Sequence, residues 1–257
     1  MMSAEDARRH IRNEKHMGPT AGLASDFTQT NVVILPEREA AAFREFTRLN
    51  PKSCPVLEEM SAGQYVSSLA DGSDIRSDVP KYRIYKKGIY VEQRTNIADL
   101  WREDLVTFLI GCSFTFEAAL LKESVPVRHM EENRNVPMYK TSIPAEASLP
   151  FQGSMVVSMR PIPEALVQKA EQVTARYPDV HGAPVHIGNP AELGITDLAK
   201  PDYGDAVTVH PGEVPVFWAC GVTPQNALLE AEVPFAITHE PGHMFITDQP
   251  HDVYKRD

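Results

Sequence analysis

The chain has 257 residues, enough for one or two domains and for a core that needs neither disulfide nor metal. Apolar residues at 42% and charged residues at 23% are those of a globular protein and exclude disorder or coiled coil for the whole chain. Lys and Arg number 25 against 35 Asp and Glu, and the net charge of −10 without a basic stripe argues against a nucleic-acid partner.

Residues 4–16 read as a helix, with Ser3 as N-cap and Glu5 and Asp6 in the first turn. Bases and acids alternate there, so the apolar centre of a signal peptide is missing. A second helix starts at Pro36, carries Phe43, Phe46 and Leu49 as an apolar stripe, and stops at Asn50-Pro51. Residues 82–85 and 89–92 form a hairpin around Lys86-Lys87-Gly88. Residues 99–110 have helical spacing through Leu100, Leu105 and Phe108, stopped by Gly111; the next helix, 113–122, has Cys112 and Ser113 at its N-terminus. Strands are expected at 127–130, 138–142 and 155–159, a helix at 163–177, and strands at 184–187, 206–209 and 214–219. Thr223-Pro224 opens a helix to residue 231, and strands at 234–238 and 244–247 end the pattern.

Interleaved strands and helices give a mixed α/β (α+β) class. Loops at 70–80, 143–154 and 188–204 mark seams, so a layered α/β unit of residues 1–115 and 205–257 with a smaller inserted α+β unit of residues 116–204 is expected. The longest apolar run, 105–116, is broken by Gly111-Cys112-Ser113 and falls short of the ~20 residues that cross a bilayer. A soluble protein without membrane contact follows. Three distant cysteines, Cys54, Cys112 and Cys220, contain no CxxC pair and fit a reducing cytoplasm.

His239-Glu240-Pro241-Gly242-His243 matches the H-E-x-x-H zinc-protease pattern by letter, but that chemistry needs one helical face for both imidazoles. Pro241-Gly242 instead suits the centre of a type II turn between strands, so neither a metal nor another cofactor is expected. Cys112-Ser113 is a stronger candidate. Free N–H groups and the positive helix end can hold an anion or lower a thiol pKa, against the alternative of a buried structural cysteine and a capping serine. His181 and His186, five apart across a turn, are acid or base candidates or structural histidines. Arg160 can grip a carboxylate in two parallel bonds or pair with an acid of this chain. Cys220-Gly221-Val222-Thr223 repeats the design of strand, glycine turn and helix start, offering a second set of N–H donors.

Five strings then stand out. Gly111-Cys112-Ser113-Phe114-Thr115-Phe116-Glu117, Asn135-Val136-Pro137-Met138-Tyr139, Val156-Val157-Ser158-Met159-Arg160-Pro161, His181-Gly182-Ala183-Pro184-Val185-His186-Ile187-Gly188 and Pro215-Val216-Phe217-Trp218-Ala219-Cys220-Gly221-Val222-Thr223-Pro224-Gln225 resemble the D-glutamate cyclase family, called hydro-lyases in bacteria. Gly18-Pro19-Thr20-Ala21-Gly22, Asp74-Ile75-Arg76, His239 and Ile246-Thr247-Asp248 extend the likeness over almost the whole chain. The resemblance implies two interlocked subdomains and dehydrating cyclisation of D-glutamate to 5-oxo-D-proline, or a related reaction of a small amino or carboxylic acid. Under it, the N–H groups after Cys112 hold the γ-carboxylate, with Cys112 a positioner and not a covalent nucleophile. His186 takes the amine proton, His239 helps water depart, and Ser113, Arg160, Tyr139 and Thr223 hold the substrate. Cys112-Ser113, Arg160, His186 and His239 are expected in one cleft. A small-carboxylate binder or regulator without catalysis is the alternative, and self-association is left open.

Overall fold

The computed structural model describes residues 2–256. Helix α1 (Ala4–Arg12) is capped as expected, Ser3 Oγ accepting from the Asp6 N–H at 3.0 Å. Two antiparallel sheets follow. The larger has β1 (Phe27–Pro36) near its centre, flanked by β5 (Leu105–Gly111) and, on its other side, by β10 (Ala236–His239) and β11 (Phe245–Pro250) end to end. Strand β2 (Val56–Met60) forms one edge, and the hairpin β3 (Tyr82–Lys86) and β4 (Ile89–Arg94) the other. The smaller sheet orders β6 (Met138–Pro144), β7 (Ser154–Pro163), β9 (Glu213–Ala219) and the two-residue β8 (His186–Ile187) as β6-β7-β9-β8.

Residues expected as helix form β5 instead. Leu105 to Gly111 is buried along its whole length, and a strand covered on both faces shows no period-2 alternation to separate it from a helix. Residues 127–130, expected as strand, instead enter the short helix α4 (Arg128–Glu131), and 206–209 lie outside any regular element. Strand β9 belongs to the smaller sheet through a seven-residue ladder with β7, so that sheet crosses the expected boundary at residue 205.

Two helices knit the sheets together. Helix α3 (Phe114–Lys122) leaves β5 of the larger sheet, yet Phe116 and Leu120 pack with Ile162, Val216 and Trp218 of the smaller one. Helix α6 (Thr223–Ala231) leaves β9 of the smaller sheet, yet Ala227 and Leu228 pack with Val33, Leu35 and Phe108 of the larger one. Each sheet thus lends its neighbour a helix, with α2 (Glu37–Leu49) and α5 (Val167–Ala175) completing the cover. No helix among the described residues is long and apolar enough to cross a membrane.

Candidate active site

The two crossing points bring two strand-to-helix turns side by side. Cys112 and Cys220 share one buried cluster with Phe114, Val136, Val222 and Met244. Asn31 of β1 bolts them together: its Nδ2 donates to the Gly111 carbonyl at 2.8 Å and lies 2.0 Å from where a Cβ on Gly221 would stand, so only glycine fits. Among the described residues, the N–H groups of Ser113 and Gly221 donate to no protein acceptor, although both residues are buried. These are donors that a helix start leaves over.

The third wall is the turn at residues 240–243. Strands β10 and β11 both pair with β1, and the chain between them loops out of the sheet. The His243 N–H donates to the Glu240 carbonyl at 2.8 Å and Gly242 has φ of +83°, which is the type II turn read from Pro-Gly. Asn135 Nδ2 donates to the Pro241 carbonyl at 2.9 Å, and His243 Nδ1 lies 3.1 Å from the same oxygen. That bond places the proton on Nδ1 and leaves Nε2 as a bare lone pair. Nε2 has no partner, nor do Asn135 Oδ1 and Gln225 Oε1, all buried. Cys112, Cys220, Asn135 and His243 each keep 6–8% of their surface exposed while Ile110, Trp218 and His239 keep none, so the seam is not sealed.

The expected site residues divide. Cys112 and Ser113 stand at the seam. Burial pushes the Cys112 thiol well up, with the Phe114 N–H offsetting only part, so desolvation outweighs the helix end and the sulfur stays protonated. Cys220 rises to about 11 for the same reason. Thr223 is also here, but its hydroxyl accepts from the Val156 N–H at 3.0 Å and donates to the Cys220 carbonyl at 2.8 Å, fastening the turn. His239 is fully buried with Nδ1 3.1 Å from the Val32 nitrogen, filling the ladder position where β10 ends. Burial lowers its pKa to about 4 and keeps it neutral.

Arg160 lies beneath the seam and has no free fork for a substrate carboxylate. Its Nε donates to Glu117 at 3.0 Å, Nη2 to Glu117 and to Ser113 Oγ at 3.0 Å, and Nη1 to Ser158 Oγ at 3.0 Å. It is wholly buried between Phe116 and Trp218. His129 Nε2 approaches the same Glu117 oxygen at 3.3 Å. Burial alone would raise Glu117, but the charges and hydrogen bonds of His129 and Arg160 prevail and hold it at about 2.

His186 and Tyr139 are on the other face of the smaller sheet. His186 stands opposite Phe217, Tyr139 opposite Val157, and Arg160 opposite Val216, so the pleat separates the first two from Arg160. Tyr139 Oη donates to the Leu198 carbonyl at 2.8 Å, and His186 Nε2 lies 2.9 Å from the Asn189 carbonyl. Of the residues expected in one cleft, Cys112 and Ser113 stand at the seam, His239 is enclosed in the larger sheet, Arg160 is taken up by Glu117 and two serines, and His186 lies on the other face of the smaller sheet.

The strings Gly111 to Glu117, Asn135 to Tyr139, Val156 to Pro161 and Pro215 to Gln225 all reach this seam, and the D-glutamate cyclase family model matches residues 106–248. The chain belongs to the D-glutamate cyclase family. A Geobacillus kaustophilus protein named "Putative hydro-lyase" is 56% identical over 248 residues, 96% of this chain and 94% of its own length. A Bacillus velezensis protein of the same name is 55% identical over the same shares, and one from an Arthrobacter strain is 52% identical over 99% of this chain and 95% of its own. Among solved structures, a nitrogen repressor-like protein of Methanococcus jannaschii aligns over 98% of this chain and 99% of its own, with 13% identity and a TM-score of 0.40, too low a likeness to bear on the fold.

Proposed function

We propose that this family member is a hydro-lyase that works at the seam on a small amino or carboxylic acid, the specific reaction being closure of D-glutamate to 5-oxo-D-proline. Family membership supports the class of reaction. One observation carries the site: among the described residues Ser113 N–H, Gly221 N–H, Asn135 Oδ1, Gln225 Oε1 and His243 Nε2 each lack a partner, on segments that the Cys112, Val136, Cys220, Val222 and Met244 cluster draws together. Such groups cost free energy unless a ligand satisfies them.

Closure forms the bond from the amine nitrogen to the γ-carbon and breaks one γ-carbon–oxygen bond. Two protons leave the nitrogen and depart on that oxygen as water. The Ser113 and Gly221 N–H groups face the γ-oxygen that gathers negative charge, a role in which one lost donor costs ~2.7–4 kcal/mol. His243 Nε2 takes a proton from the ammonium and returns it to the departing oxygen. Asn135 Oδ1 and Gln225 Oε1 accept from the ammonium before it reacts. The reacting atoms belong to one molecule, so orientation replaces covalent catalysis and a protonated Cys112 suffices.

Incubation of the purified protein with D- and L-glutamate and with each 5-oxoproline tests this. Interconversion of the D pair that falls at least a hundredfold in His243→Gln is the expected result. No turnover of any of the four compounds, or full turnover in His243→Gln, would overturn the reading.

A further inference from the structure

A second feature backs onto the seam, its Asp179-Val180 wall packing on Gly111, but does not depend on the reaction proposed there. A cleft of about 1040 Å³ opens between the end of α2 with the following segment 51–57 and the 175–183 segment. Its charged lining is Arg44, Arg48, Lys52 and Arg256 against Glu59 and Asp179, a local cationic excess in a chain of net charge −10. Three of the cations are answered. Arg44 pairs with Glu59, Arg256 Nη2 donates to Asp179 at 2.6 Å, and Arg48 pairs with Glu45.

Lys52 differs. Its Nζ sits 3.9 Å from where a Cβ on Gly182 would stand, and among the described residues no acid pairs with it. Lys52 is an exposed residue at the cleft mouth, and partial burial of its ammonium pulls the pKa below the usual lysine range. Directly beneath is His181, 1% exposed and in the left-handed region at φ +85°, which a non-glycine residue adopts at a cost. His181 Nδ1 is 2.9 Å from the Lys52 carbonyl and Nε2 has no partner. The imidazole is thus a buried polar group in the wall of a cationic cleft, held through Nδ1 by the Lys52 carbonyl and with Nε2 outside any geometric hydrogen bond. Val56, Leu57 and Tyr254 supply an apolar side.

We infer that this cleft binds a small organic anion whose carboxylate or phosphate pairs with Lys52 and hydrogen-bonds in the His181 turn, with its apolar body against Val56, Leu57 and Tyr254. The acidic whole repels extended polyanions, so the occupant is small. Its volume is that of a ligand pocket, larger than glutamate needs.

Calorimetric titration of the full chain with glutarate and, separately, inorganic phosphate at low salt tests the site, with Lys52→Met, His243→Gln and the distant control Arg94→Met alongside. Saturable binding of at least one probe is expected, weakened at least tenfold in Lys52→Met and unchanged in Arg94→Met. Glutarate alone would identify a carboxylate ligand and phosphate alone a phosphorylated one. Thermal melts check that Lys52→Met is folded. Lack of binding by both probes, equal binding by Lys52→Met, or loss of binding in His243→Gln with Lys52→Met unaffected would each overturn the inference. Turnover of D-glutamate, measured separately, reports on the seam and not on this cleft.

Discussion

Two buried polar assemblies meet at Ser113, whose hydroxyl accepts from Arg160 while its N–H is left open, and they are built on opposite rules. Around Arg160 the opposite charges meet: Glu117 accepts from the guanidinium, two serine hydroxyls take further donors, and His129 Nε2 stands 3.3 Å from the same carboxylate oxygen outside any geometric hydrogen bond. Around His243 no acid is hydrogen-bonded to the imidazole, and lone pairs and N–H groups are left open. A closed ionic network fixes geometry, because opening it exposes a charge to low dielectric. An open neutral set can exchange partners with a ligand without moving a charge. The comparison assigns the first assembly to holding α3 against β7 and the second to chemistry.

Removing one member of the closed network has the largest expected effect. Glu117→Ala leaves Arg160 buried without a counter-charge and should cost ~3–5 kcal/mol in denaturant unfolding. Combining Glu117→Leu with Arg160→Met should recover most of that loss, since an apolar pair of similar size removes both desolvation penalties. A loss under about 1 kcal/mol in Glu117→Ala would break the distinction. The open assembly should behave the other way. His243→Gln should change stability by less than about 1 kcal/mol, because only its bond to the Pro241 carbonyl is lost, while turnover falls ~10²–10⁴-fold.

Much of the seam was legible in the sequence because both of its turns are local. Gly111-Cys112-Ser113 and Cys220-Gly221-Val222 announce helix starts by their own residues, and Pro241-Gly242 announces its turn. The unread parts are non-local. Glu117 and Arg160 are 43 apart along the chain, and nothing near either says they pair. After Phe27, strand β1 runs Thr28-Gln29-Thr30-Asn31, polar residues buried between β11 and β5, so no apolar alternation marks it. The faces of His186 and Tyr139 depend on register with β9 and β7, which only the assembled sheet sets. Rejecting the zinc-binding helix also set His243 aside, although the turn that forbids the helix is what points its Nε2 away from its own chain.

Acid should separate the buried neutral imidazoles from the Arg160 network next. His239 and His181 have folded-state pKa values of about 4, below the ~6.5 of an unfolded histidine, so below that pH the unfolded chain binds more protons. Their contribution is present above pH ~6.5 and is lost as pH falls toward about 4, on the order of 2 kcal/mol for each ring by pH ~4.5. Glu117, held at about 2, contributes above its unfolded ~4.3 and is lost only in a second fall toward pH 2. Urea midpoints from pH 8 downward measure both. A flat profile between pH 7 and pH 4.5 would show that the imidazoles are not desolvated as described.

The smallest expected effect tests the location of the site. His186 is held at the edge of the smaller sheet by its neighbour Phe217, ring centroids 5.8 Å apart, and by its approach to the Asn189 carbonyl. Its side chain keeps 16% exposure, so His186→Ala removes a partly solvated contact worth about 1 kcal/mol or less. Because the pleat puts it on the face away from Arg160 and the cysteines, turnover of D-glutamate should stay within about twofold, an energy change under ~0.5 kcal/mol. A local role also predicts that His186→Ala and His243→Gln combine additively, since residues without shared partners do so within ~0.5 kcal/mol. Loss of turnover in a folded His186→Ala protein would move the chemistry to the opposite face of the smaller sheet, where Tyr139 and Phe217 pack, and would leave the open groups of the seam without a substrate.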